Sequence, residues 1–63
     1  MVEVVKGDVY RVVIEAVVGN NEGLAHIDGF PVYVKGVSKG DVGKTFKVEV
    51  LSVKKYHCTA RKV

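Results

Sequence analysis

The stretch Gly23-Leu24-Ala25-His26-Ile27-Asp28-Gly29-Phe30-Pro31-Val32-Tyr33-Val34-Lys35 decides the fold of this chain. Asp28-Gly29 is a two-residue turn of the kind that matches the twist of paired strands, because glycine accepts a positive φ without a steric penalty. Apolar runs flank the turn on both sides, so we predict a β-hairpin. The turn sets the pairing of Ile27 with Phe30, His26 with Pro31, Ala25 with Val32, and Leu24 with Tyr33.

Alternation of side chains divides this hairpin into two faces. One face is small and apolar, and we assign it to the core: Ala25, Ile27, Phe30, Val32 and Val34. The other face carries Leu24, His26, Tyr33 and Lys35. A Tyr, a His and a Lys on the wet face of a small sheet suit base stacking with a phosphate contact, so we predict that this face is the working surface.

The N-terminal part of the chain also has strand character. Residues 1–6 are a short lead-in, and Gly7-Asp8 predicts a turn. The β-branched run Val9–Val18 predicts one strand, with Tyr10, Val12, Ile14 and Ala16 on its inner face. Residues 19–23 have the composition of a loop that leads into the hairpin.

Two further strands follow the hairpin. Residues 36–43 form a glycine-rich connection, and Lys44–Val53 predicts a strand whose apolar phase slips, which indicates a β-bulge near Val50–Ser52. Tyr56–Val63 predicts a last strand, with Tyr56, Cys58 and Ala60 on one face and His57, Thr59 and Arg61 on the other. No helical period is present. We therefore predict an all-β fold, a small five-stranded β-barrel that is closed or nearly closed.

Length and composition limit the possible classes of protein. The 63 residues allow one domain, 1–63, and a chain of this size buries about 60% of its unfolded surface. The single cysteine, Cys58, excludes an internal disulfide and a multi-cysteine zinc site. No segment has the roughly 20 apolar residues of a membrane span, and the N-terminus lacks the plan of a signal peptide. We expect a cytoplasmic protein without a membrane partner.

Charge is distributed unevenly. The net charge is +3, but residues 1–33 carry −3 and residues 34–63 carry +6. This asymmetry fits a polyanion partner, and it equally fits a solvated lysine surface.

Enzyme chemistry finds little support in the sequence. His57 and Cys58 are adjacent, so on a strand they point to opposite faces and do not form a nucleophile and base pair. Cys58 is assigned to the core. His26 and His57 lack the spacing of metal ligands, and the glycines at 36, 40 and 43 lack the spacing of a phosphate loop. We expect no enzyme, no catalytic or metal site, no cofactor and no small-molecule substrate.

Binding of single-stranded nucleic acid fits the residues better, because it needs aromatic faces and cations. Tyr33 and His26 are the outward stacking candidates. Phe30 sits beside the turn and Tyr56 beside two lysines, and both stay open between core and surface, whereas His57 lies on the outward face. The candidate RNA-binding residues are Arg11, His26, Phe30, Tyr33, Lys35, Lys47, Lys54, Lys55, Tyr56, His57 and Arg61.

The sequence resembles the TRAM domain in three segments: residues 7–14, residues 22–34 with the run Gly-x-Ala-x-x-x-Gly-Phe-x-Val-aromatic-Val, and the tail 48–60. The resemblance implies an OB-like, five-stranded antiparallel β-barrel that binds RNA. The domain occurs as an appendage of tRNA-modifying enzymes and as short archaeal proteins that resemble cold-shock proteins. With no room for a catalytic domain, this chain resembles the stand-alone kind.

Two functions remain as hypotheses at this point. The first is an RNA chaperone of the cold-shock type, a monomer that binds tRNA, rRNA or mRNA with low sequence specificity. The second is a protein-interaction module, such as an adaptor on a ribosome-associated or tRNA-modifying complex, which predicts an exposed apolar patch around Leu24, Val13 and Val17.

Overall fold

The computed structural model describes residues 4–19 and 21–63, and these residues form a single curled β-sheet. The six strands are β1 (Val9–Val13), β2 (Ala16–Val18), β3 (Glu22–Ile27), β4 (Phe30–Lys35), β5 (Thr45–Val53) and β6 (Cys58–Lys62). A single 3-10 turn, Lys39–Asp41, lies in the connection between β4 and β5. Among the described residues, no helix is long and apolar enough to cross a membrane.

The predicted hairpin is confirmed in its register. β3 and β4 pair as Ile27 with Phe30, His26 with Pro31, Ala25 with Val32, and Leu24 with Tyr33. Asp28 and Gly29 have φ angles of 51° and 84°, the two positive values that a tight turn matched to the strand twist requires. Ala25, Ile27, Val32 and Val34 are buried, whereas His26 and Lys35 are exposed.

Sheet order explains how so small a sheet encloses a core. The strands are arranged β1-β5-β6-β4-β3-β2, so the two edge strands β1 and β2 are consecutive in the chain. The sheet is thereby curled into a small OB-like barrel. Four of the five pairings are antiparallel, and β4 pairs with β6 in parallel. The prediction of a purely antiparallel sheet is wrong at that pair.

The run Val9–Val18, predicted as one strand, is two strands in the structure. At the break, Ile14 N–H donates to the carbonyl of Lys44 (3.0 Å), and Glu15 N–H donates to the carbonyl of Leu24 (2.8 Å). Adjacent residues therefore bond to two different parts of the sheet, Ile14 beside β5 and Glu15 to β3. The alternation of inward and outward side chains shifts at this break. Val17, predicted to face outward, packs against the core.

The β5–β6 hairpin contains the predicted bulge, because its register shifts between Val50 and Ser52. The turn closes with Lys54 N–H donating to the carbonyl of His57 at 2.7 Å. β6 accordingly begins at Cys58 and not at Tyr56.

The turns before β1 and β3 complete the backbone path. Asp8 N–H donates to the carbonyl of Val5 (3.1 Å), which confirms the turn predicted at Gly7-Asp8. Of the predicted lead-in, residues 1–3 lie outside the described residues. Asn20 in the predicted loop also lies outside them, whereas Glu22 and Gly23 of that loop belong to β3.

The core lies inside the curled sheet and consists of small side chains from several strands and one loop. Its buried members are Val12, Ile14, Ala25, Ile27, Val32, Val34, Val37, Val48, Val50, Cys58 and Ala60. The loop residue Val37 is fully buried against Gly23, where an added Cβ would lie 2.8 Å from Val37 Cγ1. Gly36 and Val37 both donate their N–H groups to the carbonyl of Asn21 at 3.0 Å, which holds the loop in place.

Candidate nucleic-acid interface

The outer face of β3, β4, β6 and β5 presents side chains in registered rows. The middle row runs Leu24, Tyr33, Thr59 and Ser52 across the four strands. A charged row beside it runs Glu22, Lys35, Arg61 and Glu49. On the other side of the middle row, His26 pairs with Pro31 near the turn. We call this surface the outer face, and it contains the predicted outward side of the hairpin.

Tyr33 and His57 form the aromatic centre of the outer face. Their ring centroids are 5.4 Å apart and their planes are inclined by 79°, an edge-on contact. The parallel pairing brings them together, because Tyr33 lies beside Thr59 and His57 precedes Thr59 by two residues on the same side of β6. Both rings are half-buried, so each keeps part of its surface accessible to a flat ligand.

His26 extends the outer face toward the turn. It lies diagonally across from Tyr33, within reach of a long or aromatic side chain. Its Nδ1 is 2.7 Å from Glu15 Oε2, across the break between β1 and β2. The sequence placed His26 on this face but gave no sign of its acidic partner, because the two residues meet only through the folded sheet.

The two cations of the charged row, Arg61 and Lys35, differ in their partners. Arg61 donates from Nε and Nη2 to Glu49 Oε1, at 3.1 and 2.7 Å. Both side chains are partly exposed, so this pair contributes little to stability and leaves Arg61 able to exchange partners. Lys35 is exposed and forms no hydrogen bond or ion pair with a described residue, so it is the more available cation of the two.

The tip of the β5–β6 hairpin adjoins His57. Tyr56, for which core and surface were both open, is 74% exposed. Lys55 Nζ lies 5.6 Å from the centroid of the Tyr56 ring, a cation–π distance. Lys54 is exposed beside them. The tip therefore adds an accessible ring and two cations next to the Tyr33–His57 pair.

Phe30 belongs to the core side of the hairpin. Its ring is half-buried and packs against the core cluster, because its parity matches that of Val32 and Val34. The Phe30 ring keeps part of its surface exposed, and its role in RNA binding stays a prediction.

Arg11 and Lys47 lie apart from the Tyr33–His57 pair. They are direct partners across β1 and β5, and β6 separates β5 from β4 in the sheet. Both are exposed, and neither forms an ion pair with a described residue. The structure thus divides the predicted cations between the outer face and a separate basic pair.

The apolar patch predicted around Leu24, Val13 and Val17 does not form. Val17 packs against the core and Leu24 is half-buried in the middle row. Val13 is 50% exposed, but it stands with Val9 on the outer side of β1.

Sequence reasoning missed the neighbours of Thr59, Ser52 and Lys62. Thr59 and Ser52 enter the middle row only through the β4–β6 and β5–β6 registers. Lys62 lies with Nζ 4.9 Å from the centroid of the Phe46 ring and 3.9 Å from Asp41 Oδ2. Strand parity placed Thr59 with His57 and Arg61, and it puts Lys62 on the opposite face. The neighbours of Thr59 and Lys62 depend on a strand pairing that the sequence does not indicate.

The family model of the TRAM domain matches residues 3–63. The chain belongs to the TRAM domain family. The TRAM domain is an RNA-binding domain, and the chain is therefore assigned an RNA partner.

The chain is similar to two proteins of archaeal origin that differ in length. It is 45% identical over 49 residues to the ribosomal RNA large subunit methyltransferase E of Methanocella arvoryzae, a match that covers 78% of this chain and 18% of the methyltransferase. A conserved protein of Methanococcus maripaludis, solved in solution, is 35% identical with a TM-score of 0.82, covering 95% of this chain and 81% of that one. The chain thus spans a small part of the methyltransferase and most of the Methanococcus maripaludis protein.

Proposed function

We propose that this TRAM domain acts as an RNA chaperone of the cold-shock type, which binds unpaired strands with low sequence specificity. The observation that carries the proposal is the Tyr33–His57 pair on an outward, registered sheet face, beside the cations Lys35 and Lys55. Stacking on an aromatic ring contributes about 1–3 kcal/mol per base and tolerates every base, because each base has a π-face.

Such binding would open RNA structure by mass action. A protein that binds the open strand and not the paired one shifts the equilibrium toward the open form by its binding free energy. The phosphates would be held by Lys35, Lys54, Lys55 and Arg61, which lie on or beside the outer face. Several weak phosphate contacts make the affinity depend on salt concentration.

The proposal is non-enzymatic and places a single copy of the chain on tRNA, rRNA or mRNA in the cytoplasm. It is supported by the positions of the nucleophile candidates, since Cys58 is buried in the core while His57 lies on the outer face. Burial also raises the pKa of the Cys58 thiol, which disfavours the reactive thiolate.

A titration with labelled single-stranded RNA tests the stacking role. Tyr33→Leu keeps apolar bulk and removes the ring, so we expect the affinity to fall by about tenfold. Tyr10→Phe is the matched control, because Tyr10 packs against the core. Unchanged affinity of Tyr33→Leu would exclude stacking on Tyr33.

Salt dependence tests the phosphate role. Lys35→Gln should reduce the slope of log affinity against log salt by about 0.7, the value for one phosphate contact with a single strand. Lys39→Gln removes the same charge from the 3-10 turn and should leave the slope unchanged. A hairpin RNA carrying a fluorophore and a quencher then measures opening directly, and failure to open it would reject the chaperone role while leaving RNA binding intact.

The adaptor function stays as a second candidate because Val9 and Val13 are exposed on β1 around Arg11. It predicts a protein partner that stays bound after nuclease treatment and is lost in Val13→Lys. The chaperone proposal predicts that nuclease treatment removes all partners.

A further inference from the structure

The contact between His26 and Glu15 is a close charged hydrogen bond on the RNA side of the barrel. Nδ1 of His26 lies 2.7 Å from Oε2 of Glu15, and both side chains are partly exposed. The residues meet because the chain crosses from one sheet edge to the other at Glu15. The Glu15 backbone is held there by its own N–H bond to the carbonyl of Leu24 at 2.8 Å.

This contact fixes the hydrogen positions of the imidazole ring. An ionised carboxylate only accepts hydrogen bonds, so the nitrogen facing Glu15 must carry a hydrogen. A neutral imidazole has one N–H, which leaves Nε2 as an acceptor. Nε2 forms no hydrogen bond with a described residue.

The surroundings of His26 determine which part of RNA suits this acceptor. Glu15 lies against the ring, and Pro31 and Tyr33 of β4 complete the neighbourhood. The Glu15 carboxylate disfavours a phosphate at this point. A neutral hydrogen-bond donor of RNA, namely the ribose 2′-hydroxyl or a base amino group, suits the Nε2 lone pair.

We propose that Glu15 is a positioning residue that keeps the hydrogen of neutral His26 on Nδ1 and so presents Nε2 as an acceptor for a hydrogen-bond donor of bound RNA. This role rests on the proposed RNA binding for its ligand, but not for its effect on the ring. A bound strand that stacks on Tyr33 passes beside His26, and the fixed acceptor selects strands that offer a donor there.

The ring itself gives the first test, in the free protein. Long-range proton–nitrogen correlation spectra at mildly alkaline pH distinguish a protonated Nδ1 from a protonated Nε2. We expect His26 to carry its hydrogen on Nδ1, and Glu15→Gln to give a mixture of both forms, because an amide offers a donor as well as an acceptor. His57, which contacts Tyr33, should be unchanged. A wild-type His26 protonated on Nε2 overturns the proposal whatever RNA does.

Binding to modified strands gives the second test. Oligoadenylate is compared with its deoxyribose form, which lacks the 2′-hydroxyl, and with a purine-riboside form, which lacks the amino group. One of the two replacements should weaken binding to the wild type by about three- to tenfold, the effect of one hydrogen bond, and so identify the donor. The same replacement should weaken binding to Glu15→Gln by less than twofold.

The ratio of the affinity for oligoadenylate to the affinity for the modified strand distinguishes a positioning role of Glu15 from an effect of its charge. Removing a carboxylate tightens binding of every polyanion, so a purely electrostatic Glu15 would leave the ratio at its wild-type value. Glu22→Gln removes a carboxylate from the same face and should keep the wild-type ratio. If neither replacement weakens binding to the wild type, the proposal is overturned. If the wild type does not bind oligoadenylate at all, the proposed function is rejected, and the measurement on the His26 ring stays valid.

Discussion

Tyr33 on β4 and His57 before β6 meet edge-on, with ring centroids 5.4 Å apart. This relationship depends on the parallel pairing of β4 with β6 in the described sheet, which sets Tyr33 beside Thr59, while His57 lies at the turn of the β5–β6 hairpin. The His57 ring contacts the Tyr33 ring from one side. If a base stacks on Tyr33 as proposed, this support would lower the entropic cost of binding.

The Tyr33–His57 contact should be measurable as a coupling free energy. In a double-mutant cycle of Tyr33→Leu and His57→Leu, we expect a coupling of about 0.5–1.5 kcal/mol, as for other aromatic pairs, from urea unfolding. The cycle of Tyr56→Leu with His57→Leu is the control, because the Tyr56 ring contacts Lys55 instead. Equal couplings in the two cycles would contradict a specific contact.

Gly23 should not tolerate a side chain. An alanine Cβ at this position would lie 2.8 Å from Val37 Cγ1, so Gly23→Ala should lower the free energy of unfolding by about 1–3 kcal/mol through overpacking. Gly40→Ala is the control, since a Cβ there meets no atom within 4 Å. Val37→Ala should recover part of the loss in the double variant, and additive losses would show that the two residues do not interact.

Local signals in the sequence were sufficient to predict the register of the β3–β4 hairpin and the bulge in the β5–β6 hairpin. Asp28-Gly29 sets the β3–β4 register through turn chemistry, and the phase slip after Val50 indicates the bulge, because both effects involve residues close in the chain. The break at Ile14–Glu15 has no such signal. Continuous β-branched residues favour a single strand, and only the positions of Lys44 and Leu24 in the folded sheet divide it.

The sequence predicts which side of the sheet the candidate residues occupy, but not which of them are in contact. Parity placed Tyr33, His26 and His57 outward, which the structure confirms for the exposed or half-buried rings. Parity cannot show that Tyr33 touches His57 or that Arg11 faces Lys47, because these contacts depend on the strand order. The same reason explains why Val37 was assigned to a loop and not to the core.

Asp41 should make the stability of the protein depend on pH in the acid range. The N–H of Ser38 holds the pKa of the Asp41 carboxyl below its ordinary value, with further lowering by Lys62 and Lys44. A lowered pKa means that the stabilisation is complete above the unfolded value and is lost as the pH falls through the folded value. Asp41→Asn should therefore flatten the acid side of the stability curve, followed by urea midpoints below about pH 4.

The control for the acid experiment is Glu22→Gln, which removes a carboxylate from the charged row instead of the 3-10 turn. It should leave the acid limb steeper than Asp41→Asn does. An Asp41→Asn curve that runs parallel to the wild type through the whole acid range would contradict the role given to the Ser38 N–H.

Arg11 and Lys47 are like charges placed directly opposite on β1 and β5, which is an unfavourable cross-strand pair. Arg11→Glu should convert repulsion into attraction and raise the free energy of unfolding by about 0.2–1 kcal/mol. Arg11→Gln removes only the repulsion and should give a smaller gain, and high salt should reduce both gains by screening. Urea unfolding at two salt concentrations measures them. A loss of stability in Arg11→Glu beyond that of Arg11→Gln would contradict the pairing of Arg11 with Lys47.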